Sequence, residues 1–193
     1  MRTLLGYSLL LPLIAAIGPA DARGVRDADI DEVKAMKVKA AYLYNFGKFV
    51  EWPATAFEGP DSPFVIAVVG SDPFARILGE TVLNKQIGDR AIRVLRLNSS
   101  DEADLRPLRR CHILFVPGGV DFDAKPMQRH CAGSAVLVVG DRDRFVAEGG
   151  MIGFVLEDGR IRFELCREAL ERAGLNASAQ LLKLARLVEA PRR

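Results

Sequence analysis

Apolar runs recur along this chain, uninterrupted at residues 64–69 and 135–139 and broken only by His112 at residues 111–116. Runs of this kind are typical of strands that are buried on both faces of a parallel sheet. Residues 91–97 alternate apolar side chains with Arg93 and Arg96, which predicts a strand with at least one less buried face. Helical stretches separate these strands, so the pattern is that of an α/β protein.

The longest helical pattern covers residues 30–52. Apolar positions recur there at helical spacing and form one stripe, made of Met36, Ala40, Leu43, Gly47 and Val50. Pro53 disfavours helical geometry at Trp52, so we expect the helix to end there. Further helices are predicted at 72–83, 101–108 and 125–130.

The C-terminal third has a different pattern. Residues 151–156 and 160–165 are strand-like and flank Asp158-Gly159, a pair favoured in tight hairpins. Two short helices follow, one at 167–173 and one that begins near 176. The sequence therefore predicts a single domain with a mainly parallel sheet, helices on both faces and a C-terminal antiparallel hairpin.

The N-terminus has the features of a secretory signal peptide. Arg2 gives a positive end, residues 4–17 are almost wholly apolar, and Ala20-Asp21-Ala22 is a small-x-small cleavage pattern. The apolar run is shorter than the roughly 18–20 residues of a membrane span. We therefore expect residues 1–22 to be removed and residues 23–193 to form one exported, periplasmic domain.

Composition excludes several functions. Lys and Arg number 27 against 25 Asp and Glu, and a net charge of +2 is far from that of a nucleic-acid-binding protein. The two histidines, His112 and His130, lie in no metal-binding spacing. No nucleophile motif is present. We expect neither a metal nor a cofactor, and we interpret the chain as non-catalytic.

One small-ligand site stays open as an alternative. Gly118 and Gly119 follow a buried strand, and Asp121 comes shortly after them. The carboxyl ends of strands in open α/β sheets are where ligands usually bind. This pocket would suit a periplasmic small-molecule sensor that signals to a histidine kinase.

Three cysteines lie in the exported part of the chain. Cys111 begins one strand and Cys131 ends the crossover before the next, so both should lie at the amino-end edge of the sheet. That placement favours a Cys111–Cys131 disulfide in an oxidising compartment. Cys166 would then be left over, or would link two copies in a homodimer.

Aromatic residues are concentrated around the end of the first helix. Five of them fall between residues 42 and 52, more than one buried stripe holds. Trp52 and Phe57 lie beyond the helical pattern, where side chains can project outward. Since aromatic residues often anchor interfaces, we expect both to contact a partner protein.

Several long motifs resemble the YfiR family of periplasmic regulators. They are KAAYLYNFGKFVEWP at 39–53, VGSDPF at 69–74, CHILF at 111–115, GGMIGFV at 149–155, RIRFEL at 160–165 and AGLNAS at 173–178. They cover nearly all of the exported chain in order.

The resemblance implies a repressor. YfiR-like proteins bind the periplasmic domain of an inner-membrane diguanylate cyclase and hold it inactive. An OmpA-like outer-membrane lipoprotein draws the inhibitor away, which raises cyclic di-GMP and favours biofilm. If the aromatic pair does not contact the partner, the second candidate surface is the hairpin face with Arg160, Arg162 and Glu164.

Overall fold

The computed structural model describes residues 20–70, 72–97, 108, 110–120, 131 and 133–190. The chain divides into two units, Met1–Val33 and Lys34–Arg193. The described part of the first unit is helical. The second unit contains the sheet and everything discussed below. Residues 1–19 of the predicted signal peptide and the helices predicted at 101–108 and 125–130 fall wholly or largely on residues that are not described, whereas the predicted cleavage pattern at 20–22 lies at the start of the described part.

The secondary structure follows the predicted α/β order. The helices are α1 (Ala20–Phe49), α2 (Asp72–Val82), α3 (Arg167–Arg172) and α4 (Ala179–Leu184), and a 3-10 turn occupies Ala54–Ala56. The strands are β1 (Val50–Glu51), β2 (Phe64–Val69), β3 (Gln86–Ile87), β4 (Arg90–Leu97), β5 (Ile113–Val116), β6 (Leu137–Gly140), β7 (Ile152–Glu157), β8 (Arg160–Leu165), β9 (Asn176–Ala177) and β10 (Arg186–Leu187).

Eight strands form one sheet in the order β10-β8-β7-β6-β5-β2-β4-β3. Neighbours are parallel from β4 through β2, β5 and β6 to β7, and β8 pairs in parallel with β10. The antiparallel pairs are β7 with β8 and β3 with β4. The mainly parallel sheet and the C-terminal hairpin are therefore confirmed. At the hairpin turn, Asp158 and Gly159 both have positive φ, of 49° and 70°, as the predicted Asp-Gly turn requires.

The main core lies between the sheet and helices α1 and α2. Leu43 and Phe46 of α1 are fully buried there, together with Leu78 of α2 and Ile66 of β2. A second cluster lies on the opposite face of the sheet and includes Leu108, Cys131 and Phe145. Each of the central strands therefore buries both faces, which explains why their sequences are continuously apolar.

The end of α1 differs from the prediction. The helix stops at Phe49 rather than at Trp52, because Val50 and Glu51 pair with Ala177 and Asn176 as a two-stranded antiparallel ribbon. The Ser178 N–H also donates to the Phe49 carbonyl at 2.8 Å. This pairing joins residues far apart in sequence, so the local proline signal placed the helix end only approximately.

Residues 176–188 also differ from the predicted single helix. Helix α4 begins at Ala179, where Ser178 Oγ accepts the Leu181 N–H at 3.2 Å, a standard N-cap. It ends at Leu184, and Arg186 and Leu187 then join the edge of the main sheet beside β8.

We predict that Gly140→Ala destabilises the fold by about 1–3 kcal/mol. A Cβ at Gly140, at the end of β6, would lie 2.6 Å from ring carbons of Phe145, which is buried in the second cluster. Gly79→Ala is the control, because its Cβ meets nothing within 4 Å and the residue lies within helix α2. Alanine should stabilise that helix slightly. Equal midpoints of urea unfolding for the two variants would contradict the prediction.

Candidate functional site

Trp52 and Phe57, two of the residues predicted to bind a partner, lie in an aromatic stack at the amino-end edge of the sheet. The His112 ring lies between two parallel rings, with centroids 4.5 Å from Phe57 and 4.6 Å from Phe64. Trp52 meets Phe64 edge to face at 5.0 Å. On the other side, the Arg90 guanidinium lies 3.9 Å from the centroid of Phe57. We call these five residues the histidine stack.

Hydrogen bonds hold both ends of the histidine stack. The Val65 main-chain N–H donates to the ring atom Nδ1 of His112 at 3.0 Å. The main-chain N–H of His112 donates in turn to the Val65 carbonyl at 2.8 Å. The imidazole therefore takes the place of a main-chain acceptor beside β2. Arg90 donates to the carbonyls of Gly59 and Ser62 at 2.9 and 2.7 Å, which closes the loop between β1 and β2 over the stack.

The environment keeps His112 neutral. The residue is only 3% exposed, and this burial lowers the pKa of His112 to about 4, with the charge of Arg90 adding to the effect. Backbone groups of Ala56 and Val65 act in the opposite direction. His112 Nε2 is buried and has no hydrogen-bond partner among the described residues. A neutral ring with Nδ1 as acceptor is the form that the stack requires.

This geometry gives Trp52 and Phe57 a packing role beside the partner contact expected from the sequence. Both side chains are half-buried and pack against the main core. Both faces of the Phe57 ring are covered, one by Arg90 and one by His112. Both side chains thus contribute to packing, and their expected contact with a partner protein stays a prediction.

The carboxyl-end edge of the sheet holds the candidate ligand pocket. There the Gly118 N–H donates to Asp141 Oδ1, and Lys39 Nζ of α1 contacts Asp141 Oδ2 at 2.5 Å. Gly119 is in the turn beyond, with φ of 84°, and Asp121 lies outside the described residues. The backbone amide that a ligand would use is therefore bound by the chain's own carboxylate.

Lys39 and Asp141 were not singled out from the sequence. Asp141 directly follows β6, so the rule that pointed to Gly118 at the end of β5 also applies to it. Lys39 lies beside the buried residue Ala40 on α1 and is itself half-buried. A half-buried lysine on a packed helix requires an acidic partner.

The three cysteines are thiols in this structure, and all are buried. Cys111 donates to the Leu108 carbonyl at 3.1 Å. Burial raises the pKa of Cys111 well above its ordinary value, and the nearby Cys131 adds to that increase. No bond joins Cys111 and Cys131 here, and the disulfide stays a prediction. Burial also raises the pKa of Cys166, which donates to Glu168 at 3.4 Å.

The hairpin presents a charged face away from α1. Arg160 and Arg162 are exposed there, and neither forms an ion pair with a described residue. Glu164 lies on the same side but is bound by Arg186, which also contacts Glu157 at 2.8 Å. The structure therefore keeps Arg160 and Arg162 available for binding and commits Glu164 to an internal contact.

Two further findings concern only the described part of the chain. No group of three or more His, Cys, Asp or Glu residues there is arranged to hold a metal ion. None of its helices combines the length and apolar character needed to cross a membrane.

The family profile described as YfiR/HmsC-like matches residues 36–186. This range contains β1 to β9 completely and ends at the first residue of β10. None of the curated proteins compared with the chain matches it.

We predict that acid destabilises the fold through His112. The unfolded chain protonates this histidine near pH 6.5 and the folded chain only near pH 4. Between these values the unfolded state binds more protons, so stability falls as the pH drops from 6.5 to about 4 and levels off below. The loss is at most about 3 kcal/mol. Urea unfolding of His112→Gln, which does not titrate, should lack this component. An identical pH profile in the variant would contradict the assignment.

We also predict that Phe57→Ala lowers the free energy of unfolding by about 2 kcal/mol, because it removes the ring between Arg90 and His112. Leu156→Ala is the control, since Leu156 is 74% exposed and should change stability by less than about 0.5 kcal/mol. Unchanged stability of Phe57→Ala with weakened partner binding would restore the role expected from the sequence.

Proposed function

The chain belongs to the YfiR/HmsC-like family, and from this premise we propose that it is a periplasmic inhibitor of an inner-membrane diguanylate cyclase. It binds the periplasmic domain of the cyclase and so lowers cyclic di-GMP and restrains biofilm formation. YfiR-like proteins are regulators rather than enzymes. The family match over residues 36–186 is the observation that carries this proposal.

The use of the reactive side chains supports a binding role. His112 is stacked between Phe57 and Phe64 and accepts a backbone hydrogen bond. Asp141 is bound by Lys39 and by the Gly118 amide. These groups stabilise the domain through contacts within the chain, so the surface is left to provide the function.

Of the two candidate surfaces, the hairpin face is better suited to bind a partner protein. In the β7–β8 pairing, Arg160 is opposite Glu157 and Arg162 is opposite Val155. The neighbouring residue Phe163 points to the other face and is buried in the main core. The two arginines therefore stand on a well-anchored, rigid support, which reduces the entropy lost on binding.

The chemistry of this face suggests an acidic partner surface. Arginine forms bidentate contacts with carboxylates and is enriched in interfaces. We place the cyclase's periplasmic domain on this face, and we propose that the OmpA-like outer-membrane lipoprotein relieves inhibition by competing for it. Rim charges of this kind mainly accelerate association, and that effect weakens with salt.

We predict that Arg160→Glu and Arg162→Glu, singly and together, weaken inhibition without lowering stability. Cyclic di-GMP is measured in cells that lack the chromosomal copy and express each variant at equal level. The double variant should restore cyclic di-GMP to the level of the deletion strain. Arg76→Glu is the charge-matched control on α2; it breaks only an exposed contact with Glu80, which is worth little.

Two results would contradict these proposals in different ways. If deletion of the chain leaves cyclic di-GMP unchanged in cells that contain the cyclase, the function is wrong. If deletion raises it but both hairpin variants inhibit fully, the function stands and the hairpin face is not the binding surface.

A further inference from the structure

At the edge of the sheet opposite the hairpin, most of strand β4 is unpaired on its outer side. Strand β4 pairs with β2 from Ile92 to Leu97 on its inner side. On its outer side β3 pairs only with Arg90 and Ala91. The Leu97 carbonyl accepts the Gly70 N–H, so the main-chain polar groups of Leu97 point toward β2. These groups alternate in direction along a strand, so the N–H and C=O groups of Ile92 and Val94 point away from β2, toward the open side. No described strand pairs with those groups.

A groove runs beside this open edge. Its volume is about 460 Å³, and it lies between β4 and the end of α2. Ile92 and Val94 line one side, and Val82 and Leu83 line the other. Leu83 is 69% exposed, so a side chain that enters the groove can pack against it.

The groove and the strand beside it carry positive charge. Among the described residues that line the groove, Lys85 is the charged one, and its Nζ lies 4.9 Å from the centroid of the Tyr44 ring. Arg93 is exposed on the other face of β4 and forms no ion pair with a described residue. A chain that paired with β4 would pass between these two cations.

We propose that this edge binds an extended, acidic segment of another protein, which adds to the sheet as a further strand. Its main chain pairs with Ile92 and Val94. Alternate apolar side chains fill the groove beside Leu83, and acidic side chains lie near Arg93 and Lys85. Strand addition of this kind combines main-chain hydrogen bonds for affinity with side-chain pockets for specificity.

A second copy of this chain fits the edge poorly. Strand β4 has three arginines and no acidic residue. Pairing two copies of it would concentrate like charges on one two-stranded ribbon, which is destabilising. The complementary occupant is therefore an acidic strand from a different protein.

The test uses the purified full chain and a synthetic probe, acetyl-Ser-Glu-Val-Asp-Leu-Glu-Val-amide. The control peptide has Lys at the three acidic positions. Binding is followed by fluorescence anisotropy of labelled peptide and by amide chemical shifts of the protein. We expect the acidic peptide to bind with the largest shifts at Ile92 and Val94, and the Lys peptide to bind at least about tenfold more weakly.

Two variants separate charge from backbone pairing. Arg93→Glu changes an exposed side chain and should weaken the acidic peptide about tenfold while improving the Lys peptide. Val94→Pro removes the outward N–H, which edge strands tolerate, and should abolish binding of both peptides. Arg167→Glu on α3, outside both β4 and the hairpin face, makes the same charge change, breaks an exposed contact with Glu171 and should have no effect. Far-UV circular dichroism and urea unfolding check that each variant is folded.

Three outcomes would overturn the proposal. They are the absence of binding by the acidic peptide, shifts centred away from β4, and equal affinity for the wild type and the folded Arg93→Glu variant. A concentration-dependent dimer whose interface protects the β4 amides would also overturn it in favour of a second copy. The peptide assay does not involve a cyclase, so its failure leaves the proposed function standing.

Discussion

Helix α1 packs across the sheet, and this packing connects the strands near both edges of the domain. Phe46 is fully buried and meets Phe163 of the hairpin at 5.1 Å and Phe154 at 5.9 Å. One residue later, Gly47 lies against Ile87 of β3, at the other end of the sheet order. An alanine Cβ at Gly47 would collide with the Ile87 side chain. One helix thus holds together strands that do not contact each other.

Polar groups reinforce this packing at the two ends of the strands. At the carboxyl ends, Lys39 of α1 reaches Asp141, which also accepts from Gly118. At the amino ends, His112 takes the Val65 N–H and is enclosed by aromatic rings. In a low-dielectric interior such groups are stabilising only when they are paired. The residues with the most reactive chemistry are therefore used to position the helix and the loops.

The remaining accessible features lie at the sheet edges. Both outer strands, β3 and β10, are only two residues long, so β4 and β8 are largely unpaired on one side. Both carry exposed arginines, at Arg93 on β4 and at Arg160 and Arg162 on β8. Charged side chains on an edge oppose self-association, yet they favour an acidic partner. This arrangement suits a regulator that binds other proteins through its edges while its core stays closed.

The sequence by itself determined the strands and helices whose signals are local. Continuous apolar runs predicted β2, β5 and β6, because burial on both faces leaves no place for polar side chains. Asp158-Gly159 predicted the hairpin, because both positions need positive φ. The long motifs identified the family, since they reflect many packing constraints at once.

Only the tertiary structure decided the contacts between distant residues. The end of α1 at Phe49 depends on pairing with Ala177, and the two-residue strands have too little sequence to show a period. The stacking of His112 on the Phe57 ring joins residues 55 positions apart, so no local pattern could indicate it. Local hydrophobic patterns in the sequence indicate which side chains are buried. Which of them meet, and which polar groups are paired, depends on chain segments that only folding brings together.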